Sequence, residues 1–192
     1  MTCAGPDSSV PTHGHRVNVH PVVVDIVLPT LSRMPNLSIS VVEPADVGEV
    51  LTLQRAAYVT EAQLYGDSFL PALTQTFDEL ATELAAGLAV KATRHHRILG
   101  AARARVDGTT LHIGRLTVAP DAQGHGIGSR LLAELERLAP PTIETFTLFT
   151  GRLSTANIRL CQRLGYSQTR REELKPGLTV VHLDKPAPRD DR

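Results

Sequence analysis

Three glycines fall within five residues in Gln123-Gly124-His125-Gly126-Ile127-Gly128-Ser129-Arg130. The stretch follows the apolar run Leu116-Thr117-Val118-Ala119-Pro120 and leads into Leu131-Leu132. It reads as a strand, a loop stripped of side chains and the start of an amphipathic helix. Backbone N–H groups in such a loop can converge on one point, and the helix N-terminus adds its own unpaired N–H groups and positive dipole end. The chemistry this suits is the binding of a phosphate or pyrophosphate. Two common phosphate patterns fail. A P-loop needs lysine after the last glycine, and none follows. A dinucleotide fingerprint needs glycine at the sixth position from Gly124, where Ser129 stands. It also needs an acid at the end of the next strand, whereas Glu144 comes at that strand's beginning.

Gln123-x-x-Gly126-x-Gly128 resembles motif A of the GNAT superfamily of N-acetyltransferases, and Leu116–Pro120 resembles the strand-to-loop segment before it. Downstream, Ser154-Thr155-Ala156-Asn157-Ile158-Arg159-Leu160-Cys161-Gln162-Arg163-Leu164-Gly165-Tyr166 resembles motif B, a helix with an early asparagine and a Gly-aromatic end. The resemblance covers residues 37–185. It implies an enzyme that transfers an acetyl group from acetyl-CoA to a primary amine. It also implies that Leu116 and Val118 pair through their main chains with the pantetheine arm. The amides of Gln123, Gly124, His125, Gly126, Ile127, Gly128 and Ser129 would hold the pyrophosphate. Arg130 would add a charge there or pair with Glu134 one turn on. Asn157 would bond the pantetheine or a neighbouring backbone group.

Transfer to an amine needs a base, a donor for the carbonyl oxygen and a proton for the departing sulfur. In members with a glutamate base on the fourth strand, that residue lies eleven positions before the motif A glutamine, which here is His112. An imidazole suits general-base work near neutral pH. A solvent-facing strand histidine is the competing reading, and Glu144 and Glu61 are further base candidates. The N–H of Val118 is the expected oxyanion donor. The family often places an acidic tyrosine four residues after the motif B asparagine; here that residue is Cys161. A thiol can protonate a thiolate, but a buried helix cysteine commonly serves as a small hydrophobe. Packing, with water as the acid, is therefore also expected.

The resemblance puts the acceptor near the loop between the first two helices. Residues 56–90 carry Glu61, Asp67, Asp78, Glu79 and Glu83 and no Lys or Arg, which suggests an acidic wall for a cationic small molecule. Tyr58, Tyr65 and Asp67 are its expected contacts. Two other readings stay open: a non-catalytic acyl-CoA-binding regulatory module, and an acetyltransferase acting on proteins. His13-x-His15 and His95-His96 lack partners at ligand spacing, so no metal is expected.

The elements that must position these groups are legible in part. Leu37–Val42 reads as a strand, and Asp46 as the cap of a helix through Val50, Leu53 and Gln54. Thr76 caps a second helix with Leu80, Leu84 and Leu88 on one face. Strands follow at 88–92 and 98–106, and Asp107-Gly108 turns the chain into a strand at 109–118. Ile127, Leu131, Leu135 and Leu138 give a helix that Pro140-Pro141 ends. A strand at 143–150, a helix at 155–164 and strands at 166–171 and 178–183 complete the domain. Periodicity supports an α/β or α+β domain with a mixed sheet. The resemblance specifies the GNAT fold, a mixed, mostly antiparallel sheet of about seven strands flanked by four helices.

Residues 1–36 hold five prolines and read as an arm, with a candidate strand at 22–28; alternatively Met34 is the true start. Residues 186–192 read as a polar tail. Of 192 residues, 42% are hydrophobic, and Lys plus Arg balance Asp plus Glu at 20 each. One domain with a substantial core is expected, without nucleic-acid partners. Two cysteines make no disulfide framework, and no apolar run approaches a membrane span. A cytoplasmic homodimer without membrane contact is the expectation.

Overall fold

The computed structural model describes residues 36–188. The strand anticipated at 22–28, His13, His15 and Cys3 lie outside them, as do residues 189–192. Strands β1 (Ser38–Val41), β2 (Leu88–Arg94), β3 (Arg97–Asp107), β4 (Thr110–Val118), β5 (Thr145–Gly151), β6 (Ser167–Lys175) and β7 (Leu178–Pro186) form one sheet. Its order is β1-β2-β3-β4-β5-β7-β6. Among the described residues only the β4–β5 pairing is parallel. Helices are α1 (Val47–Tyr65), α2 (Pro71–Thr74), α3 (Phe77–Ala85), α4 (Ile127–Arg137) and α5 (Thr155–Arg163). Among the described residues the single turn α2 adds a fifth helix to the four anticipated; Pro71 at its start presets the helical φ.

Alternation along the strands assigns the two faces. A Cβ on Gly100 would lie 2.8 Å from Ile127 and 2.9 Å from Leu131, so Gly100 faces α4. Its neighbour Val118 shares that face. Arg103 faces the other way and bonds Gln54 of α1 and Glu83 of α3. Leu131, Leu132 and Leu135 of α4 and Leu80 of α3 are fully buried. Leu131, Leu135 and Leu80 lie on the stripes read from the 3.6-residue spacing, whereas Leu88 belongs to β2, because α3 ends at Ala85.

Local signals account for several boundaries. Thr76 and Glu79 form the capping box of α3. Asp107 pairs with Thr110 across a two-residue turn in which Gly108 has φ +58°. Asp46 does not cap α1. It sits in helical conformation without bonding an α1 amide, and its carboxylate takes the N–H of Glu43 and the Lys91 ammonium instead. A residue already in a 3-10 turn has the wrong backbone to cap the next helix.

Arg103 organises the layer between sheet and helices. Its guanidinium is buried and donates twice to Glu83, at 2.7 and 2.8 Å, and at 3.0 Å to Gln54 Oε1. Gln54 in turn donates to the Ala72 carbonyl and to Gln75. The network ties α1, the α2 turn, α3 and β3 into one unit.

Candidate active site

The glycine loop has the conformation its composition demands. Gly124 and Gly126 have φ of +80° and +77°, and a Cβ on either would meet nothing within 4 Å. Space is therefore open beside the loop, and the backbone, not a neighbour, requires glycine. Gly126 occupies the N-cap of α4 with no side-chain cap, leaving the first-turn amides without helical partners. His125 folds back, its Nδ1 2.9 Å from the Gln123 carbonyl oxygen, which fixes the loop from within. Gly128 differs: it is buried, its φ lies outside the left-handed region, and its Cβ would meet Leu160 at 3.1 Å. Gly128 thus lets α5 approach α4. Arg130 turns away from the loop and donates to the Leu37 carbonyl at 2.9 Å. The Arg130–Glu134 pair is not formed, because Glu134 takes Arg137 at i+3.

The loop opens onto a break in the sheet. β4 and β5 pair only from Thr110↔Thr145 to Ile113↔Leu148. Beyond that, β4 bulges against β3 between Gly114 and Thr117, with Arg115 at φ +50°, and the two strands part. Ala119 donates to Leu99, and Thr117 pairs with Ala101. By antiparallel alternation, Val118 therefore turns its N–H and C=O away from β3 toward the gap. The edge is unpaired with β5, the Val118 carbonyl being reached by the Gln123 side-chain amide at 3.4 Å, and it leads to an uncapped helix N-terminus; this arrangement fits an extended polar chain ending in a pyrophosphate. Asn157, in the first turn of α5, reaches toward Thr150 at 3.5 Å on the other side of the gap.

His112 lies at the closed end of this gap. It is exposed, pairs with Thr147 of β5, and faces the side away from α4. There it lines a cleft of about 530 Å³ with Thr147, Phe149, Arg170, His182 and Asp184. Thr147 donates to Asp184, and His182 bonds Glu172 and Arg170. None of these cleft partners is legible as a site in the sequence. Period-two spacing places His182 and Asp184 on one face of β7, but which strand lies beside them is set only by the sheet order.

Cys161 is 3% exposed within the core, and burial pushes its thiol up to about 11. It packs beside Tyr166, whose hydroxyl donates to Glu136 at 2.9 Å and whose ionisation burial opposes strongly. Glu144 is exposed at the start of β5. That is the end of the sheet opposite the glycine loop, roughly 26 Å away by strand rise.

The acidic wall resolves into separate contacts. Glu83 is spent on Arg103, and Glu79 on the α3 cap. Asp67 accepts from Lys175 at 2.6 Å and from the Phe69 N–H, contacts that hold its carboxyl below the usual carboxylate range. It thereby ties the loop after α1 to the β6–β7 hairpin. Glu61 remains at the open end of the gap, where Ser154 donates to its carboxylate at 2.7 Å. Tyr65, one turn on, reaches the end of β5, and Tyr58 lies under Arg115, 5.8 Å from ring centroid to guanidinium carbon. Among the described residues no cluster has the makings of a metal site.

Comparison with known proteins agrees with this architecture. The model of the acetyltransferase (GNAT) family matches residues 52–166. No curated protein matches significantly in sequence. Among solved structures, the chain is similar to a Salmonella typhimurium protein described as an acetyltransferase, solved with its cofactor acetyl-CoA. The two share 17% identity at a TM-score of 0.66, covering 82% of this chain and 97% of that one. It is also similar to the PaiA N-acetyltransferase of Thermoplasma acidophilum in complex with coenzyme A, at 16% identity and TM-score 0.64, covering 76% and 97%. A third is the ribosomal-protein-alanine N-acetyltransferase of Brucella melitensis, at 20% identity and TM-score 0.63, covering 78% and 99%. A seven-stranded sheet split between β4 and β5, with a glycine loop at the split, defines an acyltransferase fold. The chain belongs to the acetyltransferase (GNAT) family.

Among the described residues no helix is long and apolar enough to cross a membrane.

Proposed function

We propose that this protein is an acetyl-CoA-dependent N-acetyltransferase acting on a small primary amine. The observation that carries the reading is the glycine loop, uncapped at α4 and opening onto the unpaired edge of β4. The amides of residues 123–129 would hold the pyrophosphate, the main chains of Leu116 and Val118 the pantetheine arm, and Asn157 its far side. Acetyl-CoA supplies the activated acetyl group when bound.

His112 is the base we favour. It sits in an open cleft one register step before the strands part, and a neutral imidazole there can take the amine proton. The Val118 N–H, directed into the gap, can receive the negative charge that develops on the carbonyl oxygen. A cleft of about 530 Å³ is the size of a small-molecule site. Glu61, whose carboxylate borders the open end of the gap, favours a cationic amine over an anionic one. We place the protein in the cytoplasm, as a dimer, on composition and family resemblance alone.

A second reading is favoured by the burial of Cys161, which leaves α5 without an acid: a module that binds acyl-CoA but does not transfer. Release of free thiol from acetyl-CoA against a panel of mono- and polyamines and N-terminal peptides separates the readings. Amine-dependent release supports transfer, and a preference for peptides would move the acceptor from small molecules to proteins. Tight acetyl-CoA binding with no release above hydrolysis would leave only the binding module.

A further inference from the structure

Thiolate departure needs a proton, and the buried Cys161 is poorly placed to give one. On the face opposite α4, the last turn of α1 crosses the open end of the β4–β5 gap. Tyr65 there brings its hydroxyl to the end of β5, where it accepts the Leu153 N–H at 2.8 Å. Gly151 makes the seat: a Cβ at that position would lie 2.3 Å from the Tyr65 oxygen. Any side chain on residue 151 would expel the phenol. Among the described residues no acceptor takes the Tyr65 proton, whereas the Ser154 hydroxyl is committed to Glu61. Of the two, a phenol is by its chemistry a stronger acid than an aliphatic hydroxyl.

We infer that Tyr65, seated on Gly151, is the general acid that protonates the departing sulfur. The inference rests on the transferase reading above. The amine nitrogen forms the new C–N bond and loses its proton to His112. The C–S bond breaks with its electron pair on sulfur, and Tyr65 gives sulfur its proton. The phenolate then regains a proton from water and His112 returns its own to water, which restores both groups with no other reactant. The leading group on the acid side therefore comes from α1, not from α5.

The full-length chain tests this with two readouts. Tyr65→Phe should bind acetyl-CoA within about twofold of wild type by calorimetry. It should transfer acetyl about 100-fold more slowly and lose the alkaline limb of the kcat profile. Gly151→Ala, which keeps the phenol but unseats it, should reproduce that loss, and it keeps the test alive if Tyr65→Phe folds poorly. The second readout needs no turnover. In a Tyr58→Phe background, Tyr65 and the deeply buried Tyr166 are the remaining tyrosines. The ultraviolet phenolate signal then reports Tyr65. CoA, whose thiolate would sit beside the phenol, should raise the titration midpoint, and desulfo-CoA should not. Equal midpoints with both ligands, or a Tyr65→Phe protein with wild-type rate, overturn the inference while leaving the transferase reading standing. A wild-type protein that transfers no acetyl group overturns both.

Discussion

Gly126 and Gly128 belong to one motif, yet the structure gives them different duties, so valine at each should fail differently. At Gly126, φ is +77° and no atom lies within 4 Å of a Cβ. Valine there meets no clash but must adopt a left-handed backbone, at a cost of about 1–2 kcal/mol. For a domain of this size that lowers Tm by roughly 2–8 °C. Its side chain also projects into the space where the phosphate would approach. Losing one charge-assisted hydrogen bond costs about 1.5–3 kcal/mol, or roughly tenfold to a hundredfold in Kd. At Gly128, the Cβ already meets Leu160 at 3.1 Å and Leu116 at 3.7 Å, before valine's methyls are added. Overpacking of this kind costs about 1–3 kcal/mol and separates α4 from α5. Calorimetric titration with acetyl-CoA and thermal melts read the two effects. Gly126→Val should keep most of its stability and lose affinity. Gly128→Val should lose stability first, with affinity falling only as the helices shift. Wild-type affinity in a folded Gly126→Val protein would refute the assignment of the loop to phosphate.

Other outcomes follow from the same structure. His112→Ala should slow transfer at least about 100-fold while leaving acetyl-CoA affinity near that of wild type. An unchanged rate would return His112 to a surface role. Cys161→Ala should transfer at near wild-type rate, and Cys161→Tyr should lower Tm through overpacking by about 1–3 kcal/mol. With its thiol pushed up to about 11, Cys161 should resist alkylation at pH 8 until the protein unfolds; rapid labelling of native protein would contradict its burial. Arg103→Met should cost about 2–3 kcal/mol, below the value for a fully buried pair because Glu83 is 47% exposed. Thermal melts check it, and an unchanged Tm would show that the network contributes nothing net. The Asp67–Lys175 tie holds the folded carboxyl low, so its contribution is present above the ordinary carboxylate range. It is lost as pH falls through the lowered folded value, and protease nicking of the loop after α1 should rise there.

The left-handed glycine loop, the order of elements and the cap at Thr76 are readable in the sequence, because each is written within a few neighbouring residues. Glycine spacing reports backbone conformation, and Thr76 and Glu79 lie three residues apart. What escaped was long-range. Asp67 reads in the sequence as an acceptor contact, yet Lys175, more than a hundred residues on, lies against its carboxylate. Arg130 had a plausible partner one turn away and took a carbonyl at the start of β1 instead. The cleft around His112 draws on β4, β5, β6 and β7, and only the strand order brings these together. Gly151 shows no sign in the sequence of being reserved for Tyr65, since glycine is common wherever a strand runs into a turn.

The most direct test of the account is a crystal structure of the protein with acetyl-CoA. The pyrophosphate should lie on the amides of residues 123–129. The pantetheine should run along the free edge of β4 past Leu116 and Val118, with its thioester between β4 and β5. A nucleotide bound in the cleft beside His182 and Asp184, with the glycine loop untouched, would contradict the account.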